Sequence, residues 1–578
     1  MPKIILLSVF GFWLWAMLIN IFRLSQKNDL FLLFKKSTNQ IPSFMKKYLL
    51  PLICVLPFIS CRTTAQLTPD SLAKTITEAE LKKHLVFIAS DSMKGRDTGS
   101  PEQKIAAQYI AKQFDLYGLK GPVGTANSHL QLVDLVKRAW GDFYVKAHKK
   151  KYQYLTDFIS NSAVSMPKEM DFETVFVGYG IEDKAFNDYA DIDVKDKVVV
   201  AFEGEPRMAD GNYMLSGDTE MSKWSKGSEA WKEKMNLAKA KGAKALLLIS
   251  KQSVEEFEKT VKQRQTMMKR FGNARLGFRE TSDPQGSDFA VLTIGQNMAA
   301  ELLAITINEF EALKMKGLET KKSLSNAIKS QPLTMKIERT VDGIETYNVL
   351  GYLEGTDKKE ELVIITSHYD HVGVNEGKIY NGADDDGSGT VSVLEVAQAF
   401  SEAAKTGQKP RRSVLFMTVT GEEKGLLGSE YYVKHPVFPL ANTVCDINID
   451  MVGRTDKDHE GKGDYIYVIG SDKLSSELHS ALLEQNTKYG TPIDLDFRYN
   501  DPNDPNRFYF RSDHYNFAKN KIPVAFFFNG VHDDYHQPTD DVEKIEFNKM
   551  EKRARLVFHL AWEIANREKR LVVDSDKK

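Results

Sequence analysis

The sequence predicts an α/β protein: a mixed, largely parallel central sheet with helices on both faces, interrupted by a smaller β-rich inserted domain. Three observations carry this expectation. Beyond about Met335, near-continuous apolar runs alternate with helical stripes, the texture of strands buried on both faces. From about Glu173 to Gly295 the texture differs, with short strand-like runs set among charged segments, enough chain for a domain by itself. The length, 578 residues, also exceeds what one hydrophobic core holds, roughly 250–300 residues.

Taken in order, ELKKHLVFIAS and PEQKIAAQYIAKQFDLYGL space their apolar residues at three and four and predict two amphipathic helices, joined by the turn GRDTGSP. In the insert, TVFVGYGI and KDKVVVAFEGEP read as strands, and EAWKEKMNLAKAKGAKALLLIS as a helix followed by a strand. The charged segment Glu255 to Arg279 reads as a solvated helix, DFAVLTIG as a strand, and Met298 to Met315 as a helix. The second half gives strands at ELVIITSHYD, RSVLFMTVTG, TVCDINIDMVG and KIPVAFFFNG, with a helix TVSVLEVAQAFSEAA opening after Gly387-Ser388-Gly389. The expected division is a leader at 1–66, a discontinuous main domain at 75–165 and 320–570, and the insert at 170–300.

The leader holds two apolar runs. Ile4 to Phe22 is long enough to span a bilayer, which takes roughly 20 residues. The second, MKKYLLPLICVLPFISC, has a Lys-Lys start and an apolar stretch of signal-peptide length, and it ends on Cys61 like a lipoprotein signal. Phe58 stands where such signals usually carry Leu, so ordinary cleavage near Ala65 stays open, and Met45 is a candidate start. Either route predicts an exported protein at the cell envelope, periplasmic, membrane-anchored or secreted, held through lipidated Cys61 or through the N-terminal apolar segment. Composition is ordinary, 42% hydrophobic and 27% charged with formal net charge −1, so no basic footprint for nucleic acid is present. Of three cysteines, Cys54 and Cys61 lie in the leader, leaving Cys445 without an intrachain disulfide partner in the folded part.

Five residues of metal-binding type follow strand ends in the second half. They are His368 in SHYDH, Asp385 in NGADDDGSG, Glu423 in TGEEKG, Asp450 in NIDMVGR and His536 in DDYHQP. Ligands of open α/β sheets bind outside the carboxyl ends of the strands, so placement and chemistry agree. Two imidazoles and three carboxylates suit Zn²⁺ but are too many anions for one tetrahedral site. One carboxylate bridging two ions uses all five, which predicts two Zn²⁺ per chain and hydrolysis.

In this order, with GRDTGSPEQKIAAQYIAKQF before them and TYNVLGYLEG leading into the first metal strand, these motifs resemble the M28 family of zinc aminopeptidases. The insert, with VFVGYGI, YADIDVKDKVVV and AKAKGAKALLLIS, resembles a protease-associated domain. The resemblance implies the phosphorylase/hydrolase-like zinc exopeptidase fold and peptide substrates. It also implies His368 and Asp450 on one zinc, Glu423 and His536 on the other, and Asp385 across both. Asp384 and Asp386 are then cap or supporting groups, and Glu422 is the unligated general base. Asp370, two residues past His368 on the same side of the strand end, is expected to accept the other imidazole N–H. His371 is expected to be a bystander. Tyr535 is a candidate to polarise the scissile carbonyl, with a packed aromatic as the plainer role. Asp513 and His514, in SDHYNF, are candidates for support or substrate contact, against simple loop structure.

No HExxH helix and no GxSxG elbow is present, which disfavours thermolysin-type and serine hydrolases. A carboxypeptidase or dipeptidase of the same fold remains an alternative, because only pocket residues differ. A glutaminyl cyclase needs one zinc, and a receptor-like ectodomain would have lost ligands. Both fit the intact five-residue set less well.

Overall fold

The computed structural model describes residues 67–574, apart from 127, 185, 209, 272–273, 280–288, 321–323, 325–327, 329–330 and 490–491. The leader runs and Cys61 lie outside the described residues. No helix among the described residues is long and apolar enough to cross a membrane.

The two predicted N-terminal helices form as α1 (Glu78–Ile88) and α2 (Pro101–Tyr117). Thr77 and Ser100 cap their first turns through their hydroxyls, and Pro101 sits in the first turn of α2, where a missing N–H is harmless. Gly118, at φ 81, ends α2 in the left-handed conformation. Leu81, His84, Leu85 and Ile88 mark the buried face of α1.

Two long strands, β1 (Leu130–Ala147) and β2 (Leu333–Leu353), pair antiparallel. β3 (Lys358–His368), β4 (Arg412–Val419), β5 (Thr443–Ile449), β6 (Tyr465–Ile469) and β7 (Val524–Phe528) complete the main sheet. The path runs β6-β7-β5-β3-β4-β2-β1, extended at the ends by Asp494–Asp496 and Lys150–Gln153. Its centre, β7-β5-β3-β4, is parallel, while β6 and β2 join it antiparallel.

The apolar runs of β3 and β4 serve two cores at once. Val363, Ile365, Val414 and Phe416 face α1, α2, α3 (Gly389–Lys405) and α6 (Phe547–Asn566). Their neighbours Leu362, Ile364, Leu415 and Met417 face α4 (Leu427–Lys434) and α5 (His514–Ala518) on the other side. This period-two division is why the strands lack polar alternation.

The insert builds a separate five-stranded sheet in the order Phe158–Ser160, Ala290–Ile294, Ala245–Ile249, Val198–Phe202, Thr174–Phe176. Its first strand precedes the boundary expected at 170. Two further expectations need correction. The helix expected over Met298 to Met315 is two, Gln296–Leu303 and Ile307–Thr320, because Ala304 turns left-handed at φ 51. The charged segment Glu255 to Arg279 is helical only to Phe271, after which Ala274–Phe278 pairs antiparallel with β1. Phe278 is buried against Val133, Leu135 and Leu427, and Arg279 Nε donates to Asp134 Oδ2 at 2.7 Å, so tertiary burial overrides local charge.

Arg96, fully buried in the predicted turn, ties the site loops to α1. Its guanidinium donates to Tyr369 O at 2.8 Å, Ile88 O at 2.8 Å, Asn381 O at 2.6 Å and Gly382 O at 3.0 Å. Burial pulls its pKa down to about 10, against the neighbouring carboxylates Asp370, Asp540, Asp386 and Asp385. Arg96→Met is expected to leave those carbonyls unpaired and lower unfolding stability by more than about 3 kcal/mol, read from denaturant midpoints.

Candidate metal centre

All five sequence-predicted donors gather at the carboxyl edge of the parallel strands. His368 closes β3, Glu422 and Glu423 follow β4, Asp450 follows β5, and His536 lies in the loop after β7. Asp385 sits between the short hairpin at residues 373–380 and α3. Gly382, at φ 57, makes the close approach possible there: a Cβ would stand 2.5 Å from the His371 ring and 2.3 Å from Asp385 O.

Asp385 stands at the middle. Its Oδ1 is 3.3 Å from His368 Nε2, and its Oδ2 is 2.9 Å from His536 Nε2. Asp450 Oδ1 is 3.6 Å from His368 Nε2, and Glu423 Oε1 is 3.2 Å from His536 Nε2. Despite these approaches, His368 Nε2, Asp385 Oδ2 and Glu423 Oε1 are buried without a properly directed hydrogen bond. Lone pairs that converge on common points rather than on one another's protons suit a cation of the zinc kind.

Asp386 also stands near His368 and Asp450. Its oxygens are committed elsewhere: Oδ1 accepts from Gly389 N at 2.8 Å and Met451 N at 3.0 Å, and Oδ2 from His368 N at 3.2 Å. Asp384 accepts from Gly453 N at 2.7 Å and Ser388 Oγ at 2.9 Å, and its Oδ2 meets His532 Nε2 at 3.0 Å. Both carboxylates thus hold backbone amides and side chains around the donors.

Asp370 requires a correction. The His368 Nδ1 partner is the Asp370 backbone carbonyl at 3.1 Å, with the carboxylate 3.9 Å away. That carboxylate instead accepts from Thr98 Oγ1 at 2.8 Å and Glu422 N at 3.1 Å, so it holds the glutamate loop. His371 is not a bystander either: its Nδ1 lies 2.8 Å from Glu423 Oε1 and 3.9 Å from Asp385 Oδ2. Of the SDHYNF residues, Ser512 Oγ donates to Asp450 Oδ2 at 2.7 Å, and Ser429 Oγ to Asp513 Oδ1 at 2.5 Å. His514 stacks on Phe526 and is buried, with its pKa lowered by that burial to about 3, a packed loop residue.

The electrostatics separate the two glutamates. Burial pushes the Glu422 carboxyl well above the carboxylate range, helped by Glu423, Asp450 and Asp513 and opposed by His368. For Glu423, burial and Asp385 also push upward, but His371 and His536 outweigh them and hold it at about 2. Burial likewise works to raise Asp385, yet His368 and His536 keep it well below its ordinary value. Tyr535 stacks on His536 with ring centroids 4.0 Å apart, and burial followed by the site carboxylates keeps its hydroxyl protonated. Beside Asp385, Glu422 and Asp450 opens a pocket with apolar walls from Met451, Phe508, Phe526, Phe528 and Val531, and with Arg511 at its side.

The model of peptidase family M28 matches residues 348–561, the stretch that contains every one of these donors. This segment is an M28 peptidase domain. A "Probable leucine aminopeptidase" of Arthroderma otae is 30% identical over 216 residues, 36% of this chain and 55% of its own. "Aminopeptidase YwaD" of Bacillus subtilis is 28% identical over 231 residues, 39% of this chain and 46% of its own. The chain thus spans about half the length of the curated relatives it matches. The solved aminopeptidase from Aneurinibacillus sp. strain AM-1 aligns with 88% of this chain and 98% of its own, at 21% identity and a TM-score of 0.47.

In the M28 domain the His536 loop is clamped by Asp534, which accepts from Lys544 and Thr539 at 2.6 Å and from Arg454 at 3.0 Å. Burial opposes its ionisation, but these donors outweigh it and hold the carboxyl well below its usual range. A depressed carboxyl stabilises the fold above its unfolded pKa, near 4, and loses that contribution as pH falls through the folded value. Asp534→Asn is therefore expected to cost about 2 kcal/mol near neutrality, with the gap to wild type closing as denaturation is repeated below about pH 4.

Proposed function

We propose that this chain is an exported, zinc-dependent exopeptidase, an aminopeptidase that removes N-terminal residues from peptides. The observation that carries the reading is the Asp385 carboxylate, whose two oxygens face two different histidines at 3.3 Å and 2.9 Å. On this reading His368 and Asp450 would hold one zinc and Glu423 and His536 the other, with the Asp385 carboxylate shared between them and His371 beside the second. The bound ions would polarise the scissile carbonyl and lower the pKa of water.

The protein's own groups move the proton and place the substrate. Glu422 stands slightly farther off than the five proposed ligands, its Oε2 3.9 Å from His368 Nε2. A carboxylate in that place, beside the cluster, suits a general base that takes a proton from water and hands it to the leaving amine. The Tyr535 hydroxyl, kept protonated, is a donor for the carbonyl oxygen. The apolar pocket walls would receive the terminal side chain. The aminopeptidase names of the relatives support this choice among exopeptidases. The insert is proposed to be a protease-associated domain, and the run ending at Cys61 supports export with attachment through a lipid.

One observation favours a second reading. Arg511 lines the same pocket, with its Nη2 3.4 Å from Tyr535 Oη. A guanidinium there could hold a terminal carboxylate, as a carboxypeptidase or dipeptidase requires. No observation favours a glutaminyl cyclase or a ligand-free receptor.

Hydrolysis of matched peptides with free or acetylated amino ends, and free or amidated carboxyl ends, separates these readings. Dependence on the free amine alone is expected; dependence on the free carboxylate would replace the first reading with the second. Glu422→Gln should lower kcat by about 10²–10⁴-fold while zinc content holds. Glu423→Gln should lose zinc affinity as well as rate. The opposite pattern of metal loss would reverse the two roles.

A further inference from the structure

A second group of metal-binding side chains lies away from the Asp385 centre, where α1 packs on α3. Glu80 and His84, four residues apart, project from one face of α1, and Glu395 comes from α3. One donor atom from each lies within 4.8 Å of the others. We propose that Glu80, His84 and Glu395 bind a further divalent cation of the zinc class, which staples α1 to α3.

The Glu395 carboxylate makes the strongest case. It is completely withdrawn from solvent, and neither oxygen has a hydrogen-bond partner. A buried carboxylate left in that state is costly unless a proton or a cation meets it. Burial accordingly pushes its carboxyl above the ordinary value, against the pull of His84.

The spacing favours a cation over a direct ion pair. His84 Nε2 is 3.4 Å from Glu395 Oε1. That is beyond a good N–H···O bond, about 2.7–3.2 Å. It matches the roughly 3.4 Å edge between two ligands of a tetrahedral zinc at bond lengths of about 2.0–2.2 Å.

The ring is also oriented for ligation. His84 Nδ1 lies 2.7 Å from Tyr109 Oη, a contact that can take the ring proton and leave the Nε2 lone pair facing Glu395. Tyr117 Oη, 3.2 Å from Nε2, can hydrogen-bond that nitrogen when no ion is present and stands ready beside it when one is. On Glu80, Lys83 engages only Oε2, at 2.6 Å. Two carboxylates and a neutral imidazole balance the charge of one dication, so the filled site would bury no net charge.

The test counts zinc in full-length wild type, Glu395→Gln and His84→Gln after equilibration with Zn²⁺ and dialysis. Each variant is expected to hold one equivalent less than wild type and to hydrolyse peptide normally, while its thermal midpoint no longer rises on adding Zn²⁺ to chelated protein as far as wild type does. Asp385→Ala, by contrast, should keep the equivalent that Glu395→Gln loses, which separates this site from the proposed catalytic pair. Equal zinc content in wild type and both variants would overturn the proposal. If Glu395→Gln fails to fold by circular dichroism, His84→Gln and Glu80→Gln decide by the same count.

Discussion

Asp384, Asp385, Asp386 and Asp450 are buried at one edge of the main sheet, and Glu422 and Glu423 stand beside them nearly as deep. An unmatched buried charge costs several kcal/mol, so an edge this acidic persists only if each group is answered. Backbone N–H groups answer Asp384 and Asp386, while imidazoles face Asp385, Glu423 and Asp450. The peptide groups of the loops have the complementary problem, since irregular chain leaves carbonyls without ladder partners. Two buried arginines solve it. Arg96 serves the loops around Tyr369 and Gly382, and Arg553, on α6, donates to Val452 O at 2.8 Å and Arg454 O at 2.7 Å beyond Asp450. The loops that carry the donors are thereby held by the fold's own groups, a condition for a site of fixed geometry.

Much of this architecture was legible because the burial that makes it also writes a strong pattern. β3 and β4 are covered on both faces, so their apolar runs stand out, and the donors sit where those runs stop. The helix break at Ala304 was not legible: the apolar spacing continues through it, and a left-handed alanine leaves no compositional mark. The strand at Ala274–Phe278 was hidden for a different reason. Its pairing with β1 depends on a partner far away in sequence, whereas the charges around it argue for solvent.

Within the site, the residues singled out by sequence come together, but not through all the contacts expected of them. The spacing of His368 and Asp370 suggests a carboxylate–imidazole pair, yet the chain turns so that the Asp370 carbonyl meets the ring and its carboxylate faces Thr98 and the Glu422 amide. His371 reads as surplus beside His368, which already fills the ligand place in that strand end. The hairpin and the glycine at 382 fold that segment back, so His371 reaches Glu423. Asp540, which accepts from the amides of Asp384 and Asp385, has no local signal at all; only the closed loop brings it there.

The length of β1 and β2 has a consequence for how the molecule could be taken apart. Their near portions carry Val133, Leu135 and Val349 in the main domain, while Phe143, Val145, Met335 and Ile337 belong to the core of the insert. The two lobes are therefore joined by a continuous hydrogen-bonded ribbon rather than by loose tethers. Excising the insert at its sequence boundaries would strip the far half of that ribbon and leave a bare apolar strand pair, a template for self-association. The insert and the main lobe share these strands, so removing one lobe would require rebuilding an edge of the other.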